Sequence, residues 1–206
     1  MIDSKLAEFA GLLEQWPGLV SGPAQALIED SLVLLDHLGS AKKVVDVGSG
    51  GGLPGLALKI ARPELSVTLI EADQAKAAFL VQAAGRLGLL GVEVLDRRAE
   101  DAGRDGRYRE AFDAATARAV APLPVLVELC LPLVRVGGRL LAQKTAREDV
   151  GLAKNAIELL GGTMREVVTA PSAVRDTGTV VIVDKLRPTP AAYPRRAGVP
   201  NRKPLL

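Results

Sequence analysis

Seven short apolar runs alternate with helix-like stretches, and that alternation constrains the fold more than any other feature of the sequence. The runs are Val44–Val47, Val67–Glu71, Val92–Leu95, Phe112–Thr116, Arg139–Gln143, Met164–Val168 and Thr179–Asp184. Between them lie Leu53–Ala61, Gln74–Leu87, Leu123–Leu133 and Arg147–Leu160, with Pro63, Gly88, Gly91, Gly137–Gly138 and Gly161–Gly162 at the breaks. Parallel strands need a long crossover, usually a helix. The pattern therefore predicts β-α-β units in a three-layer α/β sheet. The last two strands are expected to form an antiparallel edge pair. A chain of 206 residues buries enough surface for one core without a metal or disulfide staple. We expect a single domain with a helical cap over 1–41, an α/β core over 42–186 and a tail over 187–206. The cap reads as two helices divided at Trp16-Pro17-Gly18, with Leu27, Leu34 and Leu38 on one side of the second. In Gln74–Leu87, the residues Ala78, Val81 and Leu87 are expected to share one face.

Composition removes several function classes. The single cysteine, Cys130, excludes an internal disulfide framework and a Cys-cluster zinc site, and its setting between Leu129 and Leu131 suggests core packing. The single histidine, His37, excludes a site with two histidine ligands, so no metal is expected. Aromatic residues make up only 3%, which argues against a base-stacking RNA platform. The first residues lack a basic stretch followed by an apolar run, and no 18-residue uncharged apolar stretch exists. A cytoplasmic protein without a membrane span is expected. The net charge of +2 conceals an asymmetry: residues 1–41 hold six acidic and one basic side chain, whereas 187–206 hold five basic and none acidic. That basic tail is punctuated by Pro188, Pro190, Pro194, Pro200 and Pro204, so it should be irregular or extended. It is either solvated or in contact with a polyanion.

The first strand runs into Asp46-Val47-Gly48-Ser49-Gly50-Gly51-Gly52-Leu53-Pro54-Gly55. Glycines between a strand and a helix let the backbone turn with positive φ and approach a ligand closely. Glu71, ending the second strand, is placed to accept hydrogen bonds from both hydroxyls of a ribose. The dinucleotide fingerprint G-x-G-x-x-G fails when counted from Gly48, because Leu53 stands at its sixth position. Counted from Gly50 it fits, but unusually late after the strand. Asp46 followed by Gly48, Gly50 and Gly52 instead matches the D-x-G-x-G-x-G pattern of S-adenosylmethionine-dependent methyltransferases.

From these residues the chain resembles the bacterial GidB/RsmG family of small-subunit ribosomal RNA guanine-N7 methyltransferases over nearly its whole length. The segment 44–64 carries the family's Leu-Pro-Gly (53–55) and Arg-Pro-Glu (62–64). Further matches are Glu29-Asp30-Ser31-Leu32, Arg98-Ala99-Glu100, Ala117-Arg118-Ala119 and Lys144. The tail from Tyr193 to Leu205 resembles the family's Y-P-R-[KR]-x-G-x-P-x-[KR]-x-P-L ending. Departures are Pro17 after Trp16, Leu27 where the family often has histidine, and Thr145 where Lys144 is usually followed by glycine.

The resemblance implies a class I S-adenosylmethionine-dependent methyltransferase, Rossmann-like, with a seven-stranded mostly parallel sheet and an N-terminal helical cap. It implies S-adenosylmethionine contacts from Gly48, Gly50, Leu53, Glu71, Ala72, Ala99, Glu100 and Arg118. Glu100 either accepts from the adenine amino group or, with Ala99, meets the ring through backbone amides. The implied substrate is one guanine of small-subunit ribosomal RNA near the decoding centre, on naked RNA, an assembly intermediate or the 30S subunit, and a monomeric enzyme is expected. Methyl transfer is an in-line displacement governed by positioning. Guanine N7 has a free lone pair at neutral pH, so no general base is required. Arg118 and Lys144 are the expected catalytic pair. Arg118 would donate to the cofactor carboxylate or guanine O6, and Lys144 would hold a phosphate. Arg195, Arg196, Arg202 and Lys203 are expected to face RNA phosphates, while Tyr193 and Leu205 anchor the tail. Alternatives are methylation of another RNA base or of a protein, and a cofactor-binding module without chemistry.

Overall fold

Apolar and β-branched residues extend the chain in seven places. The computed structural model, which describes residues 2–206, assigns them as β1 (Lys43–Val47), β2 (Ser66–Glu71), β3 (Val92–Asp96), β4 (Phe112–Arg118), β5 (Val134–Thr145), β6 (Gly162–Thr169) and β7 (Gly178–Lys185). They form one sheet in the order β3-β2-β1-β4-β5-β7-β6. β1 pairs in parallel with both β2 and β4, and β5 and β6 both pair antiparallel with β7. The mostly parallel sheet and its antiparallel edge are as the sequence predicts.

Successive strand residues face opposite layers. Val44, Val67 and Leu69 enter the core beneath α1 (Ile2–Gln15), α2 (Ala24–Leu32), α3 (Gly55–Ala61) and α4 (Gln74–Arg86). Val45, Val47 and Ile70 enter the opposite core beneath α5 (Ala99–Arg104), α6 (Leu123–Cys130) and α7 (Lys154–Leu159). Leu27, Leu34 and Leu38 are buried, but not on one helix, because α2 ends at Leu32 and a 3-10 turn (Leu35–His37) follows; Cys130 is buried as expected. Among the described residues, no helix is long and apolar enough to cross a membrane.

Three local expectations are corrected. α4 begins at an Asp73 cap, whose carboxylate accepts from the amides of Ala75 and Lys76. Its buried face is Ala77, Leu80, Ala84 and Leu87 with Phe79 and Ala83; Ala78 and Val81 are exposed. The i, i+3, i+4 stripe thus lies one residue before Ala78 and Val81. The stretch 147–160 is not one helix, because Asp149 caps a short 3-10 turn (Val150–Ala153) before α7 starts. α5 was not foreseen, since six residues following an Arg-Arg pair carry too little periodicity to announce a helix.

The tail is irregular, as its prolines require, apart from one helical turn, α8 (Val199–Arg202). Charged side chains of the body fasten it. Arg109 donates to the carbonyls of Thr189 and Tyr193, both at 2.7 Å, and Arg104 donates to that of Pro194 at 2.7 Å. Glu110 accepts from the Thr189 amide at 2.6 Å. α6 is buried along its whole length and contains one charge, Glu128, with no exposed surface. Arg195 satisfies that carboxylate from Nε, Nη2 and its own backbone amide. The expected phosphate-facing role of Arg195 is corrected accordingly, for its guanidinium is committed to Glu128.

A second buried carboxylate holds the turn after β1. Asp46 Oδ1 accepts from Thr116 Oγ1 of β4 at 2.8 Å, and Oδ2 accepts from the first amide of α3, Gly55, at 3.2 Å. Any side chain at Gly55 would collide with Leu69 and stand 2.9 Å from Asp46 Cβ.

Two predictions follow from these carboxylates. Burial pushes Asp46 up to about 6 against the hydrogen bonds that lower it. The native state therefore favours the protonated acid, and stability is lost as pH rises from about 4 through 6. Urea titrations should show Asp46→Asn gaining roughly 2–3 kcal/mol relative to the parent between pH 4 and 7. Arg195→Ala should cost about 2–3 kcal/mol by leaving Glu128 buried without its cation, and the double variant with Glu128→Gln should unfold at a higher denaturant concentration than Arg195→Ala alone.

Candidate functional site

The chain leaves β1 for β2 and β3 on one side, then returns to β4 on the other side of β1. Loops on either side of that reversal diverge, which opens a crevice at the carboxyl ends of the strands. The glycine turn closes its floor. Gly50 has φ +54°, and its amide donates to Glu71 Oε2 at 2.8 Å. Glu71 Oε1 accepts from the Asp73 amide at 2.9 Å, so this carboxylate ties the turn to the start of α4. Gly48 has φ +70°, and a Cβ there would lie 2.7 Å from Val120 in the space that both residues line.

Gly48 and Glu71 stand between two adjoining cavities. One, of about 210 Å³, is walled by Ile70, Ala72, Ala99, Glu100, Leu129 and Asn201. The other, of about 410 Å³, is walled by Gly50, Leu53, Asp30, Arg118, Arg175 and the cap segment Leu19–Ser21. A hydrogen-bonding carboxylate therefore lies between a slot of mixed apolar and charged lining, which includes Arg97 and Arg98, and a charged chamber. That sequence of surfaces suits a nucleoside whose ribose meets Glu71 and whose charged tail reaches Arg118. The glycine cradle and Glu71 thus fit the adenosyl group expected from sequence.

Asp30 organises the charged chamber. It is 1% exposed and meets two guanidiniums, Arg175 at 3.0 Å and Arg118 at 3.8 Å. Ser172 Oγ donates to it at 2.6 Å, and its own carbonyl accepts from Gln143 Nε2 at 2.7 Å. Both cations face Asp30 across the chamber wall. Burial lowers the Arg118 pKa, with Asp30 and Asp46 opposing that shift.

The predicted site residues divide by position. Gly48, Gly50, Leu53, Glu71 and Arg118 meet at the chamber, and Ala72, Ala99 and Glu100 at the slot. Glu100 lines the slot but is largely buried, and its Oε1 accepts from the Gly198 amide of the tail at 2.8 Å. Lys144 is corrected as a phosphate contact. Its ammonium is nearly buried, donating to the Ala121 carbonyl and to Glu148 Oε2 at 3.1 Å. Arg196, Arg202 and Lys203 are exposed, unlike Arg195. Sequence reasoning gave no role to Arg175, whose place depends on a turn between β6 and β7. Asp30 stood in a quoted motif, yet nothing local marks it as an arginine partner.

Residues 24–176 match the GidB family, described as rRNA small subunit methyltransferase G. The ribosomal RNA small subunit methyltransferase G of Lactobacillus delbrueckii subsp. bulgaricus is 48% identical over 167 residues, covering 79% of this chain and 70% of that protein. The protein of the same name from Rubrobacter xylanophilus is 42% identical, covering 96% of this chain and 84% of its own length. Among solved structures, a putative RNA methyltransferase from Pyrococcus horikoshii superposes with a TM-score of 0.58 at 14% identity, covering 89% of this chain and 100% of that one. A 16S rRNA N2 methyltransferase from Thermus thermophilus, in complex with AdoMet and guanosine, gives 0.51 at 18% identity, over 72% of this chain and 36% of that one. At such identities these structures speak for the fold alone. The family match and the length of the aligned relatives decide the matter: the chain belongs to the GidB family, rRNA small subunit methyltransferase G.

Proposed function

We propose that this protein transfers the methyl group of S-adenosylmethionine to N7 of one guanine in small-subunit ribosomal RNA near the decoding centre. The observation that carries this reading is the convergence of the glycine turn, Glu71 and Arg118 from three adjacent strand ends on one crevice. Membership of the GidB family and the names of its relatives support the substrate class. When bound, the cofactor supplies an electrophilic sulfonium methyl; the protein's share is placement.

Gly48, Gly50 and Leu53 let the backbone approach the cofactor, and Glu71 with Ala72 holds the ribose. Ala99 and Glu100 meet the adenine through their backbone, and Glu100 Oε1 ties that rim to the tail. Arg118 donates from the chamber wall to the cofactor carboxylate or to guanine O6. Asp30 and Arg175 fix its direction. Lys144 acts as a positioning residue, holding the loop at Ala121 that follows β4. N7 carries a lone pair without a proton, so the displacement asks for no base among these residues.

Arg196, Arg202 and Lys203 supply a mobile-counterion surface for the RNA backbone beside the crevice. The cap, core and tail act as a single domain, as a cytoplasmic monomer on ribosomal RNA, in the 30S subunit or in an assembly intermediate of it.

The primary test is transfer of labelled methyl from S-adenosylmethionine to small subunits lacking native N7-methylguanine, with mapping of the modified nucleotide. One labelled guanine in the decoding-centre loop is expected. Label in protein, in another base, or cofactor binding without turnover would redirect the function. Arg118→Ala should lower kcat/KM by roughly 10- to 100-fold, the range for losing charge-assisted hydrogen bonds. Replacing Arg196, Arg202 and Lys203 together by alanine should weaken RNA binding and flatten the slope of log K against log salt by about 2.

A further inference from the structure

Taking the crevice as a S-adenosylmethionine site, we propose that Asn201 of the C-terminal tail recognises the adenine ring, its carboxamide accepting from the 6-amino group and donating to a neighbouring ring nitrogen. The tail is then a wall of the cofactor site as well as a basic surface.

Placement carries the case. The ties from Arg109, Arg104 and Glu128 lead the tail across α5 and α6 towards the slot. Glu100, on the slot's own rim, spends its buried carboxylate on the Gly198 amide at 2.8 Å. Gly198 takes φ +78°, a left-handed turn that starts α8, and Pro200 is buried beside it. Asn201 follows at once, exposed, in the wall of the slot that Ala72 and Ala99 also line.

The slot otherwise offers a base apolar surface from Ile70, Ala72, Ala99 and Leu129, flanked by Arg97 and Arg98. Glu100 Oε1 is held by the tail, and among the residues lining the slot the side-chain amide of Asn201 is the uncharged polar group. A carboxamide presents an acceptor and donors side by side, the complement of an amino group next to a ring nitrogen. Glu100 is thus a positioning residue: it sets the turn that aims Asn201.

A double-mutant cycle separates recognition from mere tail structure. Kd is measured by calorimetry for S-adenosylhomocysteine and for its 6-deamino purine analogue, on the full chain and on Asn201→Ala. The parent should bind the analogue about fivefold or more weakly, the range of one lost hydrogen bond. In Asn201→Ala the two ligands should bind within about twofold of each other, with the unfolding midpoint unchanged because the side chain is exposed. An equal penalty for the analogue in parent and variant would overturn the proposal. So would equal weakening of both ligands in the variant, which would mean a structural role alone. Failure of the parent to bind S-adenosylhomocysteine at all would instead overturn the reading of the crevice, and this assignment with it.

Discussion

A carboxylate removed from water, Asp46, governs the carboxyl end of the sheet. Its two oxygens reach β4 through Thr116 and α3 through the amide of Gly55. The three elements that border the topological reversal are thereby held by one group. An uncompensated charge in that position would be costly, so the surroundings must provide donors, and they do. Because Gly55 lacks a side chain, α3 can start directly against Asp46 and Leu69. The backbone between the two, the glycine turn, then has little freedom in where it passes. Glu71 completes the arrangement by accepting from the Gly50 amide at 2.8 Å. Ligand-facing backbone is thus placed by buried polar contacts beneath it.

The same device recurs on the opposite face. Glu128 lies within an otherwise apolar helix, and its partner arrives from the tail. A hydrophobic residue at 128 would suit α6 equally well for burial. The charge makes a distinction that apolar packing cannot, because only a cation at the right point of the tail satisfies it. Proline-rich chain gains little from regular hydrogen bonding. Its position here comes from side chains of Arg104, Arg109 and Glu110 bonding its backbone directly.

The mostly parallel sheet with its antiparallel edge pair was legible because β-α-β alternation leaves few topologies. The glycine turn and Glu71 were legible for a related reason: their functional geometry is fixed by ends of adjacent strands. What sequence misjudged were charges whose partners lie far along the chain. Arg195 and Lys144 each look available in a linear reading, yet one is claimed by Glu128 and the other by Glu148 and a loop carbonyl. Glu100 likewise has a distant partner in the tail, the Gly198 amide, that a linear reading does not reveal. Val81 reads as sharing one face with Ala78 and Leu87 because apolar residues at near-helical spacing define a stripe only when its edge is known. On α4 the stripe runs through Leu80, which is fully buried, and Val81 lies outside it at 60% exposure.

The two halves of the crevice differ in how far apart in the chain their parts begin. The turn and Glu71 are joined across 21 residues, and both belong to one β-α-β unit. The charged chamber depends on Asp30 meeting Ser172 and Arg175, at separations of 142 and 145 residues. Closing a loop of that length costs more conformational entropy and waits on the intervening sheet. During folding, the cofactor half can therefore take shape around local contacts. The chamber that aims Arg118 is completed only when the β6–β7 hairpin docks against the cap.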